Sequence, residues 1–194
     1  MDVFAIFPEL DAIDDAALRE GCAALLGDCI TSSAWAEEPE RLPFLPTPDG
    51  VRRDNVAHTR DVVAASLALA AALELRLDTP ISHDHVRAAA LLHDASKWLE
   101  YEPAADAPSG AVPSALGLQL PHPFQAVAHA HGLGLPDVVV NAIAAHTPFN
   151  DVQAESLVAV IVHHADMVLT DAALLAAGRP STCKVTRGAQ AGRR

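Results

Sequence analysis

The run Leu91-Leu92-His93-Asp94-Ala95-Ser96-Lys97 sets the tightest constraint on how this chain can fold. It reads as buried helix, yet an imidazole and a carboxylate stand side by side within it. Burying such groups is costly unless something satisfies them. A fold that hides this run must therefore bring partners to His93 and Asp94. The chain offers His58 before the doublet and His122, His146 and Asp166 after it. Four imidazoles and two carboxylates on separate predicted helices suit one or two first-row metal ions.

The surrounding sequence is helix-forming. Ala and Leu dominate a chain that is 51% hydrophobic but only 4% aromatic, and both residues lose little on entering a helix. Ala17, Leu18, Cys22, Leu25, Leu26 and Cys29 recur at helical spacing, which predicts a helix over 14–29 with Asp14 and Asp15 at its positive end. Pro39, Pro43, Pro46 and Pro48 break residues 31–50 into an extended connector. It should wrap the domain, because Trp35, Phe44 and Leu45 favour burial. Further helices are predicted over 55–77, 83–101, from His122 to about Gly132, 136–147 and 154–177, each bounded by Pro, Gly or a capping residue. Residues 102–120, rich in Pro, Ala and Gly, read as a loop of the kind that forms lids or substrate contacts. No strand-like alternation and no internal repeat is visible. The expected fold is all-α, a single-domain helical bundle of 194 residues. Residues 1–50 are an N-terminal helix and connector packed on the core, 51–178 the metal-binding helical domain, and 179–194 a basic, flexible tail.

A formal charge of −12 excludes nonspecific binding of duplex nucleic acid. A small anionic substrate then needs local positive charge, which bound metal supplies. Arg179, Lys184, Arg187, Arg193 and Arg194 reverse the sign only at the C-terminus. Cys22, Cys29 and Cys183 show no paired spacing, so core thiols and a reducing, cytoplasmic setting are expected. Met1 to Leu10 lacks a basic leader, and Ala64 to Leu73 is too short to span a bilayer, so no membrane partner is expected. The apolar first helix is open to packing on its own chain or on a second copy as a homodimer.

Adjacent helical residues point about 100° apart, so His93 and Asp94 share a cation only if it lies in a groove between helices. His58 and Asp166 complete a single-metal set with them. His122 and His146 then hold a second ion, with Asp94 bridging. Two such ions clamp an oxyanion and generate a hydroxide nucleophile near neutral pH. Each ligand has a plainer rival reading. His58 could lie on a helix surface near Arg60, His122 could merely open a helix, and His146 could be an imidazolium at a helix end. Lys97 either contacts a substrate phosphate or pairs with Glu100 at i+3. Of His163 and His164, one reads as a substrate or ligand-supporting contact and the other as surface.

At this point the chain resembles a known family. His58, His93-Asp94 and Asp166 match the H…HD…D pattern of the HD-domain superfamily of metal-dependent phosphohydrolases, and Leu91 to Lys97 is its typical phrase. His122 in Pro121-His122-Pro123 and His146 in Ala145-His146-Thr147 fall where the dinuclear branch carries two extra histidines. The order looks like that of YqeK-type dinucleotide polyphosphate hydrolases. The resemblance implies an all-helical fold and phosphoester or phosphoanhydride hydrolysis of a phosphorylated, nucleotide-like molecule. It implies one or two divalent ions, with Fe, Mn, Co, Ni, Zn and Mg all open, and catalytic roles for Asp94 and Lys97. Two alternatives stand beside it: a mixed-valent di-iron oxygenase on the same ligands, and a catalytically silent binding domain.

Overall fold

A computed structural model describes residues 1–47, 51 and 53–183. Pro48 and the basic residues Lys184, Arg187, Arg193 and Arg194 lie outside that range. The chain opens with α1 (Val3–Ile6), capped by the Asp2 carboxylate, and a 3₁₀ turn at Pro8–Ala12. Sequence patterning does not mark either element. They matter because Phe7, Leu10 and Ile13 are fully buried there. Helix α2 (Ala16–Thr31) starts at Asp15, whose side chain accepts from the Leu18 amide at 3.0 Å. Its apolar positions Leu18, Cys22, Leu25, Leu26, Cys29 and Ile30 enter the core of the same chain.

The proline-rich connector is held by indole hydrogen bonds. Trp35 Nε1 donates to the Tyr101 carbonyl at 2.8 Å, and Trp98 Nε1 donates to the Pro39 carbonyl at 3.1 Å. Trp35 and Phe44 are buried, as their apolar character predicts. Then come α3 (Asn55–Leu77), capped by Asp54, and α4 (His83–Leu92), capped by Ser82. The expected helix over 83–101 is interrupted. Residues 93–96 form a tight turn in which Ala95 N donates to Leu92 O and Lys97 N to Asp94 O. Short α5 (Lys97–Glu100) follows. Helix propensity cannot foresee this break, because side-chain partners on other helices fix where His93 and Asp94 must point.

The expected loop over 102–120 holds a small antiparallel hairpin. Strand β1 (Tyr101–Pro103) pairs with β2 (Ala111–Pro113), with Tyr101 opposite Pro113 and Pro103 opposite Ala111. Three-residue strands ending in proline are too short to show alternation. The remaining helices are α6 (His122–Gly132), α7 (Asp137–Ala145) and α8 (Leu157–Ala176). The fold is all-α apart from the hairpin. Helix α3 packs on α4 and α8, and α7 joins α4, α6 and α8. By length and composition α3 and α8 are long and apolar enough to cross a bilayer, a test that buried core helices also pass. Both lie against each other in the bundle and carry the buried polar residues His58 and Asp166.

Candidate metal centre

The ends of four helices and the middle of a fifth converge on one point. His58 lies in the first turns of α3, a helix fixed by the Asp54 cap on the Ala57 amide at 2.7 Å. His93 and Asp94 occupy the turn after α4, His122 opens α6, His146 ends α7, and Asp166 projects from the middle of α8. His58, His93, Asp94 and His146 are each at most 2% exposed, and Asp166 is 9% exposed.

The donor atoms fall into two groups. His58, His93 and Asp166 form one, and Asp94, His122 and His146 the other; within each group the ligating atoms lie within 4.8 Å of one another. Asp94 faces both. Its Oδ2 is 3.3 Å from His93 Nε2 and 3.8 Å from His58 Nε2. Its Oδ1 is 3.1 Å from His122 Nε2 and 3.6 Å from His146 Nε2. His58 Nε2 also lies 3.1 Å from Asp166 Oδ1, which accepts from the Thr170 hydroxyl at 3.2 Å.

The outer nitrogens show why this donor set fits a cation. His93 Nδ1–H donates to the Ala90 carbonyl and His146 Nδ1–H to the Ile143 carbonyl, both at 2.7 Å. His122 Nδ1–H donates to Glu100 Oε2 at 2.5 Å. These bonds fix the tautomer and leave each neutral ring with a lone pair on Nε2, aimed inward. With both rings neutral, two such lone pairs meet at 3.4 Å between His122 and His146, with Asp94 Oδ1 close to both. His93 Nε2 is buried with no hydrogen-bond partner among the described residues. Unshared electron pairs facing one another in a dry site repel; a divalent cation removes the conflict.

The protonation preferences of the protein groups follow from burial and neighbours. Burial alone would raise Asp94, but the Lys97 ammonium, His93 and the neighbouring His122 and His146 rings outweigh it and hold the carboxyl well below 3.8. Burial also opposes ionisation of Asp166, yet His58 and His93 keep its pKa low. Burial pushes the His58 and His146 rings down, so both favour the neutral, ligating form. That direction disfavours the reading of His146 as an imidazolium at a helix end. His93 and His122 lean the other way: burial lowers them, but Asp94, and for His122 also Glu100, more than restores the protonated form. Those two rings respond to carboxylates whose charge a cation would share.

Lys97 does not pair with Glu100. Its Nζ donates to Asp94 Oδ2 at 2.7 Å and to the Phe44 carbonyl at 2.9 Å. Glu100 is taken by His122 instead. Asp94, Lys97, His122, His146 and Asp166 line a cavity of about 330 Å³, walled also by Phe44, Tyr101, Pro121 and Met167. His163 and His164 do not line it. His163 Nδ1 donates to the His146 carbonyl at 2.8 Å, behind that ligand, and His164 is exposed. Arg60 turns away to Glu9 at 2.7 Å, and His129 and His83 pair with Asp28 and Glu74 elsewhere on the surface.

Three supporting groups escape a reading of the sequence. Helical spacing offers Glu100 to Lys97, and the break at 93–96 invalidates that spacing. Phe44 is expected only to be buried, yet its ring stacks on His58 with centroids 4.3 Å apart. Thr170 lies one helical turn past Asp166, a spacing that could have suggested it.

A family model for the HD domain matches residues 55–171, more than half of the chain and the whole span from His58 to Asp166. The chain belongs to the HD domain family. HD domains bind divalent metals, and the family includes metal-dependent hydrolases. No curated protein and no solved structure matches the chain.

Proposed function

We propose that this HD domain is a metal-dependent phosphohydrolase with a dinuclear centre, cleaving a phosphoester or phosphoanhydride of a compact, nucleotide-like molecule. One observation carries the reading: Asp94 turns one oxygen toward the His58, His93, Asp166 group and the other toward His122 and His146. Divalent ions held there supply Lewis-acid polarisation of a phosphoryl oxygen and a lowered pKa for the attacking water. The chain's own residues do the rest. His58 and His93 form the enclosed part of the centre, and Asp94, His122, His146 and Asp166 border the cavity where substrate would enter. Lys97 brings a positive charge to the same wall. Two of its three protons go to Asp94 and Phe44, which leaves the third for a phosphate oxygen. Phe44, Tyr101 and Met167 offer apolar surface, with Thr147 and Asn150 as polar contacts, a mixture that suits a base or sugar beside a phosphate. The ligand order supports placement in the YqeK-like branch, and the free cysteines support a cytoplasmic setting.

The test is turnover of a panel of nucleotides and phosphomonoesters with Mn, Fe, Co or Ni. The wild-type protein is expected to release phosphate or a mononucleotide, and a His93→Ala, Asp94→Ala double variant to fall to background. Undiminished turnover by that variant would overturn the assignment.

A further inference from the structure

We infer that Glu100 is a positioning residue for the cavity-facing half of the centre, and that the excursion from Tyr101 to Leu120 braces it. The inference rests on the proposed metal centre. Glu100 Oε2 accepts from His122 Nδ1–H at 2.5 Å, with both side chains less than 15% exposed. That bond holds the ring with Nε2 toward Asp94 Oδ1 and His146, and a carboxylate partner strengthens the ring as a donor. The other histidines in the two groups that donate through Nδ1, His93 and His146, do so to backbone carbonyls. His122 alone among these leans on an ionisable side chain.

The hairpin leaves the bundle just after Glu100 and comes back onto it. Ser114 N donates to the Glu100 carbonyl at 2.8 Å, and Ser114 Oγ donates to the Leu99 carbonyl at 2.7 Å. Gly117 N donates to Ser114 Oγ at 2.9 Å, which brings Gly117 against Glu100. A Cβ on Gly117 would sit 2.1 Å from the Glu100 carbonyl oxygen and 3.0 Å from its Cγ. The first of these neighbours is backbone and cannot swing aside, so a side chain there must displace Glu100. The segment between helices α5 and α6 thereby fixes the main chain of the residue that orients His122 and leaves no room beside its side chain.

The experiment is Co²⁺ titration of chelator-treated full-length protein, followed by calorimetry and by the visible ligand-field bands. The variants are Glu100→Ala, Glu100→Gln, Gly117→Ala and His122→Ala. Wild type is expected to show two binding events, one of which His122→Ala removes. Glu100→Ala should weaken that same event by about 10–100-fold and leave the other unchanged. Glu100→Gln, which keeps an acceptor, should recover part of the loss. Gly117→Ala touches no ligand and should still weaken the same event. Wild-type Co²⁺ binding in all three Glu100 and Gly117 variants would overturn the brace alone. Equal loss of both events would also overturn it, because the effect would then be general unfolding. No Co²⁺ uptake by wild type would overturn the brace together with the metal centre.

Discussion

Removing and restoring metal should move the thermal stability of this protein by an amount that can be worked out in advance. The donor atoms are assembled only in the folded chain: His58 is 108 residues from Asp166, and the Asp94 carboxylate meets rings from α3, α6 and α7. An ion that binds this arrangement and not the unfolded chain stabilises the fold by RT ln(1 + [L]/Kd), about 2.7 kcal/mol at a free concentration of 100 Kd. A domain of this size shifts its melting temperature by roughly 2–4 °C per kcal/mol. One occupied site therefore raises Tm by about 5–11 °C, and two independent sites by about twice that. The assay is a circular-dichroism melt of chelator-treated protein against increasing Mn²⁺, Co²⁺ or Ni²⁺. Asp94→Asn supplies the control, since it removes the charge that both donor groups approach. That variant melts lower without metal as well, because the Lys97 ammonium, 2.7 Å away, loses its counter-charge. The comparison is therefore between metal-induced shifts and not between absolute midpoints. The wild-type shift should be large and the Asp94→Asn shift a small fraction of it. Equal shifts in the two proteins, or none in wild type with any of the ions, would refute the reasoning.

Two other perturbations probe the frame around the centre. Phe44 is 1% exposed and stacked on His58, so Phe44→Ala should cost about 3–5 kcal/mol in urea unfolding, while Phe44→Leu, which keeps most of the volume, should cost less than about 1.5 kcal/mol. Glu74 ties the turn from α3 to α4, accepting from the Ile81 amide at 2.8 Å and facing His83 Nε2 at 2.9 Å. These hydrogen bonds lower its pKa from 4.5, so its contribution is present above that value and lost as pH falls through the lower folded value. Glu74→Gln should accordingly melt below wild type at neutral pH, with the gap closing well under pH 4.5; a gap independent of pH would contradict the assignment.

The helices that carry the ligands were legible because their signals are local. Apolar periodicity, Asp54 and Ser82 as caps and Pro121 before α6 each act within a few residues of the feature they mark. The residues that meet at the site were legible for a different reason: a carboxylate such as Asp94 or Asp166 inside an apolar run is anomalous wherever it occurs. The interruption at 93–96 and the partner of Glu100 left no comparable trace. Both depend on which helices meet at the doublet, which is a property of the tertiary packing. The same holds for α1 and the turn at Pro8–Ala12. Phe7, Leu10 and Ile13 recur every third residue over too short a run to declare an element, and only the hollow they fill explains their burial.

The break after α4 also explains how neighbouring residues can serve one centre. On a continuous helix His93 and Asp94 would diverge by about 100°, and a cation near one would be poorly placed for the other. The tight turn brings His93 Nε2 to within 3.3 Å of Asp94 Oδ2 while the Ala90 carbonyl anchors the far side of the ring. With the ring so held, Asp94 is free to present its second oxygen to α6 and α7. Lys97, on the turn of helix that follows, compensates the carboxylate from the cavity side. The His-Asp doublet thus works as a junction: its histidine turns to the side of His58 and Asp166, its aspartate faces both groups of donor atoms, and the lysine three residues on from that aspartate places a positive charge on the cavity wall.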